Sequence, residues 1–91
     1  MSNKFKVEIT TSAAKEFKKL PKSIKERVKE MVGFLELNPR SEFLNIKKMK
    51  GPTDLYRVRI GDYRIVYEII DNKFIILIIK LGHRKEVYKK L

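Results

Sequence analysis

From Leu55 onward the chain is written in periods of two, and this pattern decides most of what it can become. Leu55–Ile60, Tyr63–Ile70 and Phe74–Leu81 read as three strands. Gly61-Asp62 puts glycine first in a two-residue turn, as a type II′ hairpin requires. Asp71-Asn72 supplies the second turn. Strands joined by turns this short run antiparallel, so the segment is a meander. The first turn also fixes register. With Gly61 and Asp62 at its centre, Ile60 opposes Tyr63 and Arg59 opposes Arg64. Arg57, two residues earlier, shares their face. Tyr56, Val58, Ile60, Tyr63 and Ile65 fall on the other side. Phe74-Ile-Ile-Leu-Ile-Ile79 is apolar at every position, which predicts a central strand covered on both faces.

Upstream, Phe5, Val7 and Ile9 alternate with polar residues and predict one more strand. Thr11 and Ser12 are candidate caps for a helix carrying Ala13, Phe17 and Leu20 on one face. Pro21 ends that helix or bends the chain. Ser23 and Glu26 have capping-box spacing, so a second helix is expected from there, with Ile24, Val28, Met31, Val32 and Leu35 as its buried stripe. Asn38-Pro39 closes it. Residues 40–53 read as a loop with at most one short edge strand. Gly82 is expected to break the last strand, and His83–Leu91 to form a short terminal helix. The expected fold is α+β: a strand, a two-helix hairpin, an antiparallel three-strand meander and a short C-terminal helix. Residues 1–91 are expected to form a single domain, with the helix pair on one face of the sheet.

Charge narrows the partners. There are 22 Lys and Arg against 11 Asp and Glu, a formal net charge of +11 in 91 residues. Such a field attracts polyanions, with nucleic acid first among them. Cysteine is absent, which excludes disulfides and thiolate metal sites, and a single histidine makes a metal centre unexpected. No cofactor is expected. There is no glycine-rich phosphate loop and no nucleophile elbow. Met1–Lys6 is polar, and the longest apolar run falls far short of the roughly 20 residues of a membrane span. A cytoplasmic protein without membrane contact is expected.

Three arginines converging on one sheet face make the best site. Like charges directly opposite one another are destabilising, and a polyanion relieves that strain. Guanidinium forks match phosphate oxygens. A solvated sheet face is the plain alternative for any one of these arginines. In a terminal helix Arg84 and Tyr88 would share a face. Histidine is the side-chain type suited to acid–base work near neutral pH, which makes His83 a candidate, although surface histidines are often idle. Lys47, Lys48 and Lys50 are either a solvated loop or further contacts to a phosphate backbone.

The stretch Leu55-Tyr-Arg-Val-Arg-Ile-Gly-Asp-Tyr-Arg-Ile-Val-Tyr67, followed by Leu81-Gly-His-Arg-Lys-Glu-Val-Tyr88, resembles the RelE/ParE toxin superfamily. The Phe17-Lys-Lys-Leu-Pro21 helix end, the Asn38-Pro39 exit and Lys48-Met-Lys-Gly51 extend the likeness over nearly the whole chain. The resemblance implies the toxin of a type II toxin–antitoxin pair. Such a toxin enters the ribosomal A site, against ribosomal RNA, and cuts messenger RNA; a RelB-type antitoxin neutralises it. Carried over, Arg57 and Arg59 match two basic residues of the first meander strand, and Arg64 the phosphate-binding arginine of the next. Arg84 matches an arginine after the last strand, and Tyr88 a tyrosine that stacks on a base. Well-known members carry lysines where this chain has Arg57 and Arg59. Arginine stays protonated and is a poor general base. His83 or Tyr88 is expected to orient or deprotonate the attacking hydroxyl, with a lysine as the alternative base. ParE-type relatives imply an alternative, action on DNA gyrase without nuclease chemistry. A non-catalytic RNA-binding module is a third reading.

Overall fold

A computed structural model describes residues 4–51 and 54–83. In chain order the elements are strand β1 (Lys6–Ile9), helix α1 (Thr11–Lys18), helix α2 (Lys22–Leu37) and strands β2 (Ile46–Lys48), β3 (Leu55–Ile60), β4 (Tyr63–Ile70) and β5 (Ile75–His83). They build a five-stranded sheet in the order β1-β5-β4-β3-β2. β1 runs parallel to β5, and the remaining pairs are antiparallel. The α+β architecture and the meander agree with the sequence pattern.

Both helices lie on one face of the sheet. Ala13 of α1 and Val28 and Leu35 of α2 join Val58, Ile60, Ile65, Tyr67, Ile76, Ile78 and Leu81 in a single core. Each aliphatic side chain fully buried there contributes about 1.5–3 kcal/mol. Because no helix among the described residues covers the opposite face, the apolar run in β5 is buried on one side only. Ile76 and Ile78 are shut away, whereas Ile75, Leu77 and Ile79 stay half-exposed. The expectation of cover on both faces is corrected accordingly.

Four further local expectations change. The cap of α1 is Thr10, whose Oγ1 accepts from the Ala13 amide at 3.1 Å, not Thr11 or Ser12. α2 starts at Lys22 with no side-chain cap. Pro21 presets its own φ and offers its carbonyl to the amides of Ile24 and Lys25 at 3.0 and 2.9 Å. The second turn is a three-residue 3-10 turn, Asp71–Lys73, closed by Phe74 in the left-handed region with φ of 53°. Gly82 does not break its strand: β5 continues through it to His83, pairing with Arg64 and Tyr63. His83 is therefore a strand residue, and the rest of the expected terminal helix lies outside the described residues.

Helix α1 explains why β5 runs on. β1 ends at Ile9, so beyond Ile78 that edge of β5 has no strand partner. Thr10 donates its amide to the Ile78 carbonyl at 3.0 Å. Glu16 then accepts the Leu81 amide at 3.0 Å and pairs with the Lys80 ammonium at 2.9 Å. A bulge at Ile79 allows this, since Val66 faces Lys80 while Tyr67 faces Ile78.

The connection from α2 to β2 is pinned as firmly. The buried Tyr67 hydroxyl donates to the Pro39 carbonyl at 2.7 Å. Arg40 grips Asp71 with two bonds, of 3.0 and 2.7 Å, and donates to the Tyr56 hydroxyl at 3.2 Å. The Arg40 hydrogen bond holds the Asp71 carboxyl below the usual carboxylate range. These contacts deliver β2 to the edge of the sheet, where the candidate site lies.

Candidate phosphate-binding site

The site is a grid on the sheet face away from the helices. Residues paired across strands share a face, so the ladder itself lays out the side chains. Lys47 opposes Arg57, and Arg57 opposes Val66. One step along, Arg59 opposes Arg64, and Arg64 opposes Gly82. The Arg59 amide donates to the Asn45 carbonyl at 3.2 Å, which sets Asn45 beside Arg59. Asn45, Lys47, Arg57, Arg59 and Arg64 together line one recess. Gly82 adds no side chain beside Arg64, so that end of the row stays low.

The Gly61-Asp62 turn holds two of the guanidinium groups in place. Gly61 has φ of 59°, and Asp62 does not share a positive φ. That is the type II′ pattern, and it suits glycine. The Gly61 carbonyl accepts from Arg59 Nε at 3.3 Å and from Arg64 Nη1 at 3.2 Å. Arg64 Nη1 also donates to the Tyr63 carbonyl at 3.1 Å. Arg64 is only 8% exposed despite its charge. Two cations sharing one neutral oxygen still repel each other. The recess is thus electropositive and already ordered before any ligand arrives.

The predicted residues fall out as follows. Arg57, Arg59, Arg64 and Lys47 meet in the recess. Lys50 lines a shallower neighbour with Lys47, Lys48, Met49 and Arg57. Lys48 lines that neighbour but not the recess itself; it opposes Tyr56 in the ladder, and its ammonium lies 3.3 Å from Asp54. His83 opposes Tyr63, with the two rings edge-on at 5.6 Å. Strand alternation puts it on the helix side, one residue away from the face that carries Arg64. Arg84 and Tyr88 lie outside the described residues. Asn45 is the member that sequence reasoning missed, because nothing in residues 40–46 announces a strand register.

Chemically, the recess offers many donors. Lys and Arg side chains donate and do not accept. They match phosphate oxygens and stabilise charge growing at phosphorus. Among the described residues no cluster of His, Asp or Glu is placed to hold a metal ion.

Comparison with known proteins identifies the family. Residues 7–88 match the family model described as ParE toxin of type II toxin-antitoxin system, parDE. A candidate toxin of Methanocaldococcus jannaschii, RelE1, is 40% identical over 94% of this chain and 97% of its own length. The mRNA interferase toxin RelE of Escherichia coli is 33% identical over 86% of this chain and 83% of its own. Among solved structures, RelE in the archaeal RelE–RelB complex of Pyrococcus horikoshii superposes with a TM-score of 0.78 at 34% identity. That match covers 89% of this chain and 96% of the other. The chain therefore belongs to the RelE/ParE family of toxins from type II toxin–antitoxin systems.

Proposed function

We propose that this chain is a RelE-type endoribonuclease that cuts messenger RNA in the ribosomal A site and is silenced by a RelB-type antitoxin. The observation that carries this is the recess in which Arg57, Arg59, Arg64 and Lys47 converge, with two guanidinium groups tied to the Gly61 carbonyl. The E. coli relative is named an mRNA interferase, and the Pyrococcus relative was solved with RelB.

The reaction is a transesterification within the message. The ribose 2′-OH attacks the adjacent phosphorus, its proton passes to a base, and the bond from phosphorus to the 5′ oxygen breaks. That oxygen takes up a proton, leaving a 2′,3′-cyclic phosphate and a 5′-OH end. Arg57, Arg59 and Arg64 stabilise the negative charge that grows on the phosphate oxygens. Arg84 adds a fourth guanidinium. The arginines cannot remove the 2′ proton, since they do not deprotonate in this pH range. Tyr88 or His83 serves that step, with Tyr88 also stacking on a base. The placement of His83 on the helix side of the sheet favours Tyr88.

Primer extension on a translated message, with wild type and Arg64→Ala side by side, tests the proposal. Ribosome-dependent stops that appear with wild type and vanish with the variant support it. DNA damage without message cleavage would assign the chain to gyrase instead. RNA binding without any cutting would make it a binding module.

A further inference from the structure

We propose that Asn45 is the ribose-reading residue of this site, its side-chain carbonyl accepting a hydrogen bond from the 2′-OH next to the bound phosphate. The inference rests on the ribonuclease reading above and deepens it. Four of the five side chains lining the recess are Lys47, Arg57, Arg59 and Arg64. All four are donors without an acceptor. They can hold a phosphate, but they cannot take a hydrogen bond from a hydroxyl. Among the side chains that line the recess, the Asn45 carboxamide alone carries an acceptor.

Its placement is fixed by the sheet. Ile46 opposes Val58, and the Arg59 amide reaches the Asn45 carbonyl at 3.2 Å. The β2–β3 ladder thus extends one residue beyond β2, and alternation sets Asn45 on the same face as Arg59 and Lys47. The row Asn45, Arg59, Arg64 crosses adjacent strands, which lie about 4.8 Å apart. A phosphate held between Arg59 and Arg64 would have its neighbouring ribose within reach of Asn45. An acceptor there holds the 2′ hydroxyl in the bound state, until its one proton passes to the base, and distinguishes RNA from DNA, because only RNA has that donor.

The test uses probes that cannot be cut. Adenosine 3′-monophosphate and its 2′-deoxy counterpart are titrated into the intact protein, with binding followed by NMR. Wild type is expected to bind the ribose form more tightly by roughly two- to tenfold, the range of one hydrogen bond. In Asn45→Ala the ribose form should weaken to match the deoxy form, whose own affinity stays unchanged. Asn45→Asp keeps an acceptor and should keep the preference. In cleavage assays Asn45→Ala should lower kcat by about tenfold with little change in KM, as lost orientation does. Wild type binding both probes alike, or a preference that survives in Asn45→Ala, overturns the inference. These outcomes separate from failure of the ribonuclease reading, which would show as an absence of message cleavage by wild type.

Asn45→Ala is expected to fold. Asn45 is exposed, and its ladder bond to Arg59 uses the main chain.

Discussion

Replacing Arg64 by alanine should abolish cleavage while destabilising the fold only modestly, and the structure gives both magnitudes. The two nitrogens that Arg59 and Arg64 present to the Gly61 carbonyl each lie within 3.3 Å of one oxygen. They are therefore no more than about 6.6 Å apart. Two unit charges at that separation repel by about 2.5 kcal/mol at an effective dielectric near 20, and by about 0.6 kcal/mol in bulk water. Arg64→Ala removes this repulsion but forfeits its bonds to the Gly61 and Tyr63 carbonyls. Each such bond is worth about 0.5–1.5 kcal/mol net. These polar terms nearly cancel, which leaves the packing of the buried Arg64 stem, so the loss of stability should stay at about 1–2 kcal/mol. Catalysis has no such compensation. Losing one preorganised donor to transition-state charge costs about 10²–10³ in kcat.

The same reasoning predicts that a bound dianion stabilises wild type. Phosphate at ten times its dissociation constant adds about 1.4 kcal/mol. For a chain of this size that raises Tm by roughly 6–11 °C. Thermal melts with and without inorganic phosphate, run on wild type and Arg64→Ala beside the cleavage assay, read all three quantities. An equal phosphate shift in the variant would refute the recess as the anion site. Cleavage within tenfold of wild type would refute the role of Arg64.

Other perturbations probe the scaffold. Gly61→Ala should cost about 1 kcal/mol, because its φ of 59° disfavours a side chain. The added Cβ would also sit 3.4 Å from an Arg27 nitrogen, the mobile end of a long side chain. Cleavage should fall further than stability does, since the carbonyl that gathers Arg59 and Arg64 shifts. Tyr67→Phe should cost about 1–2 kcal/mol in urea titrations by stranding the Pro39 carbonyl, with cleavage unchanged. Burial raises the Tyr67 hydroxyl well above the ordinary phenol range. Its contribution is thus fully present below pH about 10 and is lost as pH climbs toward the raised value, because the unfolded chain ionises first. Tyr67→Phe should flatten the alkaline side of the stability curve; an unchanged curve would contradict this. Glu16→Ala should cost about 2–4 kcal/mol, since it leaves Lys80 and the Leu81 amide without the carboxylate that closes the β5 edge. Glu16→Gln keeps an acceptor and should cost less in the same melts.

How much of this was legible in the sequence depends on the range of the forces involved. The opposition of Arg59 and Arg64 could be read directly, because a two-residue turn with glycine first fixes register locally. The buried stripes of α1 and α2 were legible for the same reason, as periodicity is a local signal. The position of β2 was not. Ile46-Lys-Lys48 has no period, and its register follows from Arg40 on Asp71 and Tyr67 on Pro39, contacts between residues about 30 apart in the chain. Without that register Asn45 cannot be placed beside Arg59. The run through Gly82 was hidden for a related reason. Glycine weakens a strand locally, but β4 on one side and Glu16 on the other hold β5 extended past it.

Register also separates two neighbouring lysines that composition cannot tell apart. Lys47 opposes Arg57 and lines the recess, while Lys48 opposes Tyr56, lies outside the recess and pairs with Asp54 at 3.3 Å. Binding to single-stranded RNA releases counterions, and the log–log slope against salt is about −0.7 for each phosphate neutralised. Lys47→Gln should therefore reduce the slope by about 0.7 and weaken binding to all sequences alike. Lys48→Gln should change it by less than half as much, because Asp54 already offsets that charge. Titrations of a short single-stranded RNA across about 50–200 mM salt measure both slopes. Equal losses from the two variants would mean that bulk positive charge, not the ladder of β2 against β3, decides which groups meet the RNA backbone.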